Sequence, residues 1–512
     1  MLDEVVEEVE TSFDVVSVMA GVKPAVLLSL DVGTSGVRAA LFDELGNEID
    51  GTQVSNQRNF ATVLDFAELD AEAIVEQVAD TIDDLLATSL VSTGRIELIA
   101  ISCFWHSLIG VDSAGRATTP LLTWADTRGA QMAKSLRAAF DETEIHARTG
   151  CRFHPSYWPA KLQWLQTERF DTFNATHQWL GFSEYLSLRL FDETTSSISM
   201  ASATGLFNQR ACDWDWEFIR ALKIRAGTLP EISRPARHPR LAGRFASRWP
   251  ALAEARLCGV IGDGAANNIG GGCSDPDKIA LMVGTSGAMR VVYKGEPPTH
   301  LPPELWCYRA DRSRVVVGGA LSDGGGLYRW LTDSLFLDDD PAAIANQLEM
   351  MEPDSHGLTV LPFWSGERST GWAADARGAI LGLSQQTRPI DIVRAALESI
   401  SYRFALIAQS LETVVPGATV IATGNALRSS PVWVQIMADV LGRQLKLCRL
   451  AEASLRGAAL LALEAVGKIG SIEEVVVPID AVFDPDMSRH ERYQGGLRRQ
   501  QETYERLSSV LI

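Results

Sequence analysis

Cysteine is scarce. The seven residues Cys103, Cys151, Cys212, Cys258, Cys273, Cys307 and Cys448 are odd in number, lie far apart and include no C-x-x-C pair. This argues against a disulfide framework or a cysteine-held zinc site and predicts free thiols of a reducing, cytoplasmic compartment. Basic residues are also in deficit: 46 Lys and Arg stand against 65 Asp and Glu, for a net charge of −19 and no basic run. That balance argues against nucleic acid or an anionic membrane as a partner. No apolar run is long enough to span a bilayer. The acidic opening, "MLDEVVEEVETSFDVVSVMAGVKP", lacks the basic-then-apolar layout of a signal peptide and reads as an appendage, a short helix or disordered, before the first strand. Four familiar signatures are missing as well: G-x-x-x-x-G-K-[ST], an intact G-x-G-x-x-G after a strand, H-E-x-x-H and G-x-S-x-G. Any nucleotide must be held by a different kind of fold.

What is present is repetition. The chain is 46% hydrophobic over 512 residues, ample for large cores and two domains. "LLSLDVGTSGVRAALFD" at 27–43 is echoed by "ALMVGTSGAMRVVY" at 280–293. Alternating apolar residues flank each Gly-Thr-Ser-Gly, so each copy predicts a hairpin with a tight polar tip. Glycine lets backbone N–H groups approach a ligand, and Thr and Ser add hydroxyl donors, a combination suited to phosphate oxygens. Two copies on matched strands indicate an internal duplication, with two similar halves facing each other.

The first half predicts strands at Val26–Val32, Gly36–Phe42 and Glu48–Val54. A helix follows at Asp70–Leu90, with Ala71, Ile74, Val75, Val78, Ile82 and Leu85 on one face, and then a buried strand in "IELIAISCFW". The second half repeats strand, turn and helix start in "LCGVIGDGAANNIGGGC", the hairpin, a helix after "VVVGGALSDGGG", and strand, loop and helix in "TVIATGNALRSSPVWVQIMADVLG". This alternation predicts an α/β core. The expected division is an acidic extension at 1–24, a first domain at 25–254, a second at 255–465 and a terminal helical segment at 466–512.

Five separated motifs, in order, resemble the FGGY family of carbohydrate kinases, of the superfamily that includes actin, hexokinase and the Hsp70 ATPase domain. They are "DVGTSGVRAALFD", "GDGAANNIGGG", "VGTSGAMR", "LPFWSGERSTGWAADARGAILGL" and "ATGNALRSSPVWVQIMADVLG". The resemblance implies two RNase-H-like lobes with ATP and Mg²⁺ in the cleft between them. It implies Asp263 as the base for a sugar hydroxyl, with Asp31 and Asp263 at the metal. Gly33, Thr34, Ser35 and Arg38 would face the γ-phosphate, and Gly284, Thr285 and Ser286 would cover phosphates from the other lobe. Gly324, Gly325, Gly424, Asn425 and Ser429 would contact ribose, adenine or phosphate, with Asn425 standing where the family usually has glycine. Trp105 and His106 would line the sugar pocket, with Trp124, Asp126 and Arg128 of "TWADTR" nearby; His154 and Lys161 also match family positions. Homodimers are common in such kinases.

Asp263 also makes sense without the family. It follows an apolar strand and stands between two glycines at a helix start, where the dipole favours an ionised carboxylate and small neighbours would admit substrate. The wording "TWADTR", "GTSGAMR", "TGCRFHP" and "SMASATGLFN" looks most like the gluconokinase group. Gluconate carries a carboxylate, for which Arg128, Lys161 or Arg290 could supply a cation. Xylulose, or another ketose or polyol, is the alternative substrate. A non-catalytic ATP-dependent switch is the alternative class, against which the presence of both Asp31 and Asp263 speaks.

Overall fold

The computed structural model describes residues 26–58, 66–88, 95–233, 238–337, 340–450 and 452–511; the acidic extension lies outside them. The first sheet holds β1 (Leu27–Gly33), β2 (Gly36–Phe42), β3 (Val54–Gln57), β4 (Leu98–Cys103) and β5 (Arg256–Gly262), in the order β5-β4-β1-β2-β3. β1 and β2 form the first hairpin, antiparallel from Leu27↔Phe42 to Gly33↔Gly36, while β4 and β5 run parallel to β1. The third strand starts later than the alternation predicted. Residues 48–53 instead make a turn through Gly51 (φ 77°), closed by Thr52, whose Oγ1 accepts from Leu41 N and donates to Ile49 O. Helix α1 (Ala71–Leu86) starts at Asp70, which caps the N–H groups of Glu72 and Ala73. Its six predicted apolar positions are all buried.

The second sheet holds β6 (Lys278–Val283), β7 (Gly287–Lys294), β8 (Trp306–Arg309), β9 (Arg314–Leu321), β10 (Thr419–Thr423), β11 (Leu445–Cys448) and β12 (Ile479–Phe483), in the order β8-β9-β7-β6-β10-β11-β12. Its central five strands repeat the first sheet. β6 and β7 form the second hairpin, β9 follows antiparallel, and β10 and β11 run parallel to β6. The duplication suspected from Gly-Thr-Ser-Gly is thus a duplication of sheet topology. In both sheets the inner strands carry near-continuous apolar runs, as sheets covered on both faces require, while the edge strands β3 and β12 alternate with exposed positions.

Two boundaries differ from expectation. β5, placed with the second domain by its local strand–turn–helix pattern, pairs with β4 and completes the first sheet. The tail beyond 466 is no separate segment. β12 pairs with β11, and helix α7, which closes the chain, buries Tyr493 and Leu497 in the second core. α7 spans Met487–Leu511; the helices between it and α1 that bear on the site are α2 (Asp263–Gly270), α3 (Gly325–Ser334), α4 (Pro389–Glu412), α5 (Pro431–Leu441) and α6 (Ala453–Ala465). All seven cysteines are buried free thiols. Among the described residues no helix is long and apolar enough to cross a membrane.

α6 comes from the second half of the chain yet packs beneath the first sheet, with Leu455, Ala459 and Leu463 in the first core and Ser29 Oγ donating to Leu455 O at 2.7 Å. It crosses α2 backbone to backbone. A Cβ on Gly457 would overlap the Ala266 carbonyl, and one on Gly270 the Ala453 carbonyl. Neither obstacle is a flexible side chain, so Gly457→Ala is expected to lower stability by about 1–3 kcal/mol, read as an earlier urea midpoint by circular dichroism. An unchanged midpoint would show that the helices can separate without loss.

Candidate active site

β5 runs directly into α2, with Gly262 as the cap, so that Asp263 opens the helix and its Oδ1 accepts from Gly264 N at 2.7 Å. The flanking glycines serve a purpose other than admitting substrate. A Cβ at either would overlap the Trp105 indole, and at Gly264 also the Arg290 guanidinium. Glycine therefore lets an aromatic face and a cation close on the carboxylate. Burial pushes Asp263 up to about 6; Arg290 pulls it down and Asp31 pushes it up. Arg290 is itself buried, and this lowers it to about 10 against the support of Asp263.

Asp31, near the end of β1, accepts from Ser102 Oγ at 2.7 Å and from Arg38 Nη1 at 3.1 Å, and burial holds its pKa above the usual carboxylate value. Arg38, expected at the γ-phosphate, is occupied here: besides Asp31 it pairs with Glu452 at 3.3 Å. Two buried carboxylates, of which Asp31 raises Asp263, form a hard-oxygen donor set, which fits Mg²⁺. The first loop is only Thr34-Ser35, since Gly33 and Gly36 are already paired strand residues. Arg58 braces it, donating to Gly33 O at 2.7 Å from its side chain and to Ser35 O at 2.8 Å from its backbone.

The second loop is longer, Gly284-Thr285-Ser286, and is bound by the glycines that open α3. Gly324 N and Gly326 N donate to Thr285 O at 3.1 and 2.9 Å, and Gly325 N to Gly284 O at 2.8 Å. A Cβ on Gly324 would lie 2.7 Å from Ser286 O, and one on Gly325 the same distance from Ala426 Cβ and Gly284 O. Gly424, at φ 92°, lies against the Val283 backbone. Three glycine-bearing turns from β6, β9 and β10 thus converge as bare backbone. Asn425 and Ser429 follow on an exposed turn, where Ser429 Oγ donates to Asn425 O at 2.7 Å.

Between the sheets lies a cavity of about 210 Å³. Thr34, Trp105, His106, Trp124 and Asp263 line it from the first lobe, and Gly284, Thr285, Ser286 and Arg290 from the second. His106 Nδ1 donates to Ala203 O at 2.7 Å, which leaves Nε2 as an acceptor; burial holds this imidazole neutral, down at about 3. Its backbone is left-handed, φ 65°, a region uncommon outside glycine in which Asn, Asp and His are the enriched residues. Trp306 and Tyr308, alternate residues of β8, stack at 4.2 Å, and Trp105 meets both edge-on. Tyr308 and Tyr157 join the lobes through a 2.6 Å hydroxyl contact.

Asp126 and Arg128 do not line the cavity. Arg128 pairs with Asp126 at 2.7 Å and with Glu68 at 2.9 Å, between the rings of Phe66 and Trp164. Lys161 is also buried away from it, donating to the carbonyls of Pro155 and Ser156, and burial lowers it to about 7. His154 is held by Ser156 at 3.0 Å, outside the lining. The second cavity cation, Arg368, was not singled out in the sequence, although it stands inside "WSGERSTGW". Nor were Trp306 and Tyr308, whose period-two spacing on a strand was the available signal.

Residues 26–270 match the FGGY family of carbohydrate kinases, N-terminal domain, and residues 279–466 its C-terminal domain. The chain is 30% identical to a gluconokinase of Bacillus subtilis (strain 168) over 89% of its own length and 91% of the relative's. Two solved structures from Lactobacillus acidophilus, a gluconate kinase and a ligand-bound xylulose kinase, each superpose with TM-score 0.86 at 27% identity. They cover 95% of this chain and 98% and 99% of their own.

An Asp263 that must be ionised for turnover predicts that kcat/KM rises with pH through about 6 and then levels. Stability carries the opposite sign. The folded pKa lies above the ordinary 3.8, so the contribution of this group is complete below pH 3.8 and is lost as pH rises through about 6. Asp263→Asn is therefore expected to melt no earlier than the parent at pH 8 while losing about 10³-fold in kcat. An active variant or a flat pH profile would contradict the assignment.

Proposed function

Because the chain belongs to the FGGY family of carbohydrate kinases, we propose that it transfers the γ-phosphoryl group of ATP to a hydroxyl of gluconate, giving 6-phosphogluconate, with Asp263 as general base. The observation that carries this reading is the meeting, in one cavity, of Asp263 at the mouth of α2 with the bare Gly284–Ser286 loop opposite. The hydroxyl gives its proton to Asp263 as its oxygen attacks the γ-phosphorus; the new P–O bond forms as the bond to ADP breaks. Thr34 and Ser35 grip the phosphates from one lobe and Gly284, Thr285 and Ser286 from the other. The turns at Gly324, Gly325 and Gly424 leave space for the nucleotide, with Asn425 and Ser429 at its outer edge. Asp31 and Asp263 would hold Mg²⁺, which when bound neutralises phosphate charge. Closing the lobes excludes water, which would otherwise compete as the nucleophile.

Trp105, Trp306 and Tyr308 give the sugar's C–H faces an apolar wall, and His106 Nε2 accepts a hydroxyl hydrogen. Similarity to a gluconokinase over nine-tenths of the chain supports gluconate. The equal superposition on a xylulose kinase favours a ketose as the second reading. Coupled measurement of ADP release across gluconate, xylulose, ribulose and glycerol is expected to give strong turnover with gluconate, abolished by Asp263→Asn. Turnover of xylulose in its place would move the assignment to the second reading, and ATP binding without turnover of any sugar would contradict the proposal.

A further inference from the structure

The two guanidinium groups in the cavity have different surroundings. Arg290 lies against Gly264 and is the cation that acts most strongly on Asp263. Arg368 comes from the loop after Phe363 and is clamped without a carboxylate. Its Nη2 donates to Leu321 O at 3.0 Å, its Cζ lies over the Trp124 ring 5.0 Å from the centroid, and its Nε has no partner. Among the described residues no carboxylate is in ion-pair contact with it, and none accepts from Nη1. The nearby imidazoles of His106 and His154 are held neutral by burial.

The loop that presents Arg368 is itself fixed. Ser369 and Ala320 exchange two hydrogen bonds, Ser369 N to Ala320 O at 2.9 Å and Ala320 N to Ser369 Oγ at 3.0 Å. Asp323 takes Ser365 N and Oγ, both at 2.9 Å. A cation held rigidly, stacked on an aromatic ring and left with a free donor is arranged to meet an anion from outside the chain. A sugar acid bound in this cavity brings such an anion, and a neutral polyol does not. We infer that Arg368 receives the carboxylate of the substrate through Nη1, so that the site selects sugar acids over neutral polyols of the same length. This rests on the sugar-kinase reading and deepens it, and it reassigns the cation role considered for Arg128, Lys161 or Arg290.

The test compares gluconate with gluconamide, which has the same carbon chain and hydroxyls but no charge, in the full-length enzyme and in Arg368→Met. The parent is expected to prefer gluconate by about 100-fold in kcat/KM, mostly through KM, and the variant to lose most of that preference. Because both substrates are read in one folded variant, a general loss of structure lowers both and leaves the ratio unchanged. A parent that uses gluconamide as well as gluconate overturns the inference while leaving the kinase intact. So does an Arg368→Met enzyme that melts with the parent by circular dichroism and weakens both substrates equally, the result expected if Arg368 serves ATP instead. Failure with gluconate but turnover of another aldonate, such as xylonate, overturns the gluconate assignment alone, and the ratio of xylonate to its amide then decides the role of Arg368. With no turnover of any acid, calorimetry of gluconate and gluconamide in the presence of ADP makes the same comparison, and equal binding overturns the inference.

Discussion

The site depends on a contact with no side chain in it. At the crossing of α2 and α6, Gly270 and Gly457 let two backbones touch, and this seats a helix from the second half of the chain beneath the sheet of the first. α2 carries Asp263 at its other end, so the crossing determines where the carboxylate stands relative to the Gly284–Ser286 loop. Close-packed helices transmit small displacements poorly absorbed elsewhere, and a base must stand within hydrogen-bond reach of the hydroxyl it serves. The position of the proposed base is thus set by packing remote from it.

The duplication explains why such a crossing is useful. Each sheet presents one Gly-Thr-Ser-Gly turn at the end of its first hairpin, but the two are not copies in detail. The first is a two-residue tip braced by Arg58, and the second a three-residue tip braced by the backbone of Gly324, Gly325 and Gly326. Charge follows the same division. Asp31 is matched within the first lobe by Arg38 and Ser102, whereas Asp263 is matched across the cleft by Arg290. Separating the lobes would therefore cost Asp263 its main compensating charge.

Much of this was legible in the sequence wherever the signal was local. The hairpins, the buried face of α1 and the placement of Asp263 between strand and helix follow from spacing within a dozen residues. What failed was partner choice. Arg38, Arg128 and Lys161 are cations in suggestive motifs, but their roles are decided by Glu452, Glu68 and the Pro155 carbonyl, which no local pattern reveals. The boundary expected at 254/255 separates β5 from the sheet it completes for the same reason, since a strand's sequence does not state which neighbour it pairs with. Arg368 stands in a motif that the sequence displays, but what sets it apart is the lack of a paired carboxylate, and an absence of partners is visible only in three dimensions.

The account holds that one end of a sugar acid is received by Arg368 while a hydroxyl at the far end meets Asp263. The position of the phosphate on the product tests this most directly. Carbon and phosphorus NMR of the product formed from gluconate and ATP is predicted to show phosphate on the terminal hydroxyl, farthest from the carboxylate. Phosphate on a hydroxyl beside the carboxylate would contradict the account, because the acid would then lie at Asp263 and not at Arg368.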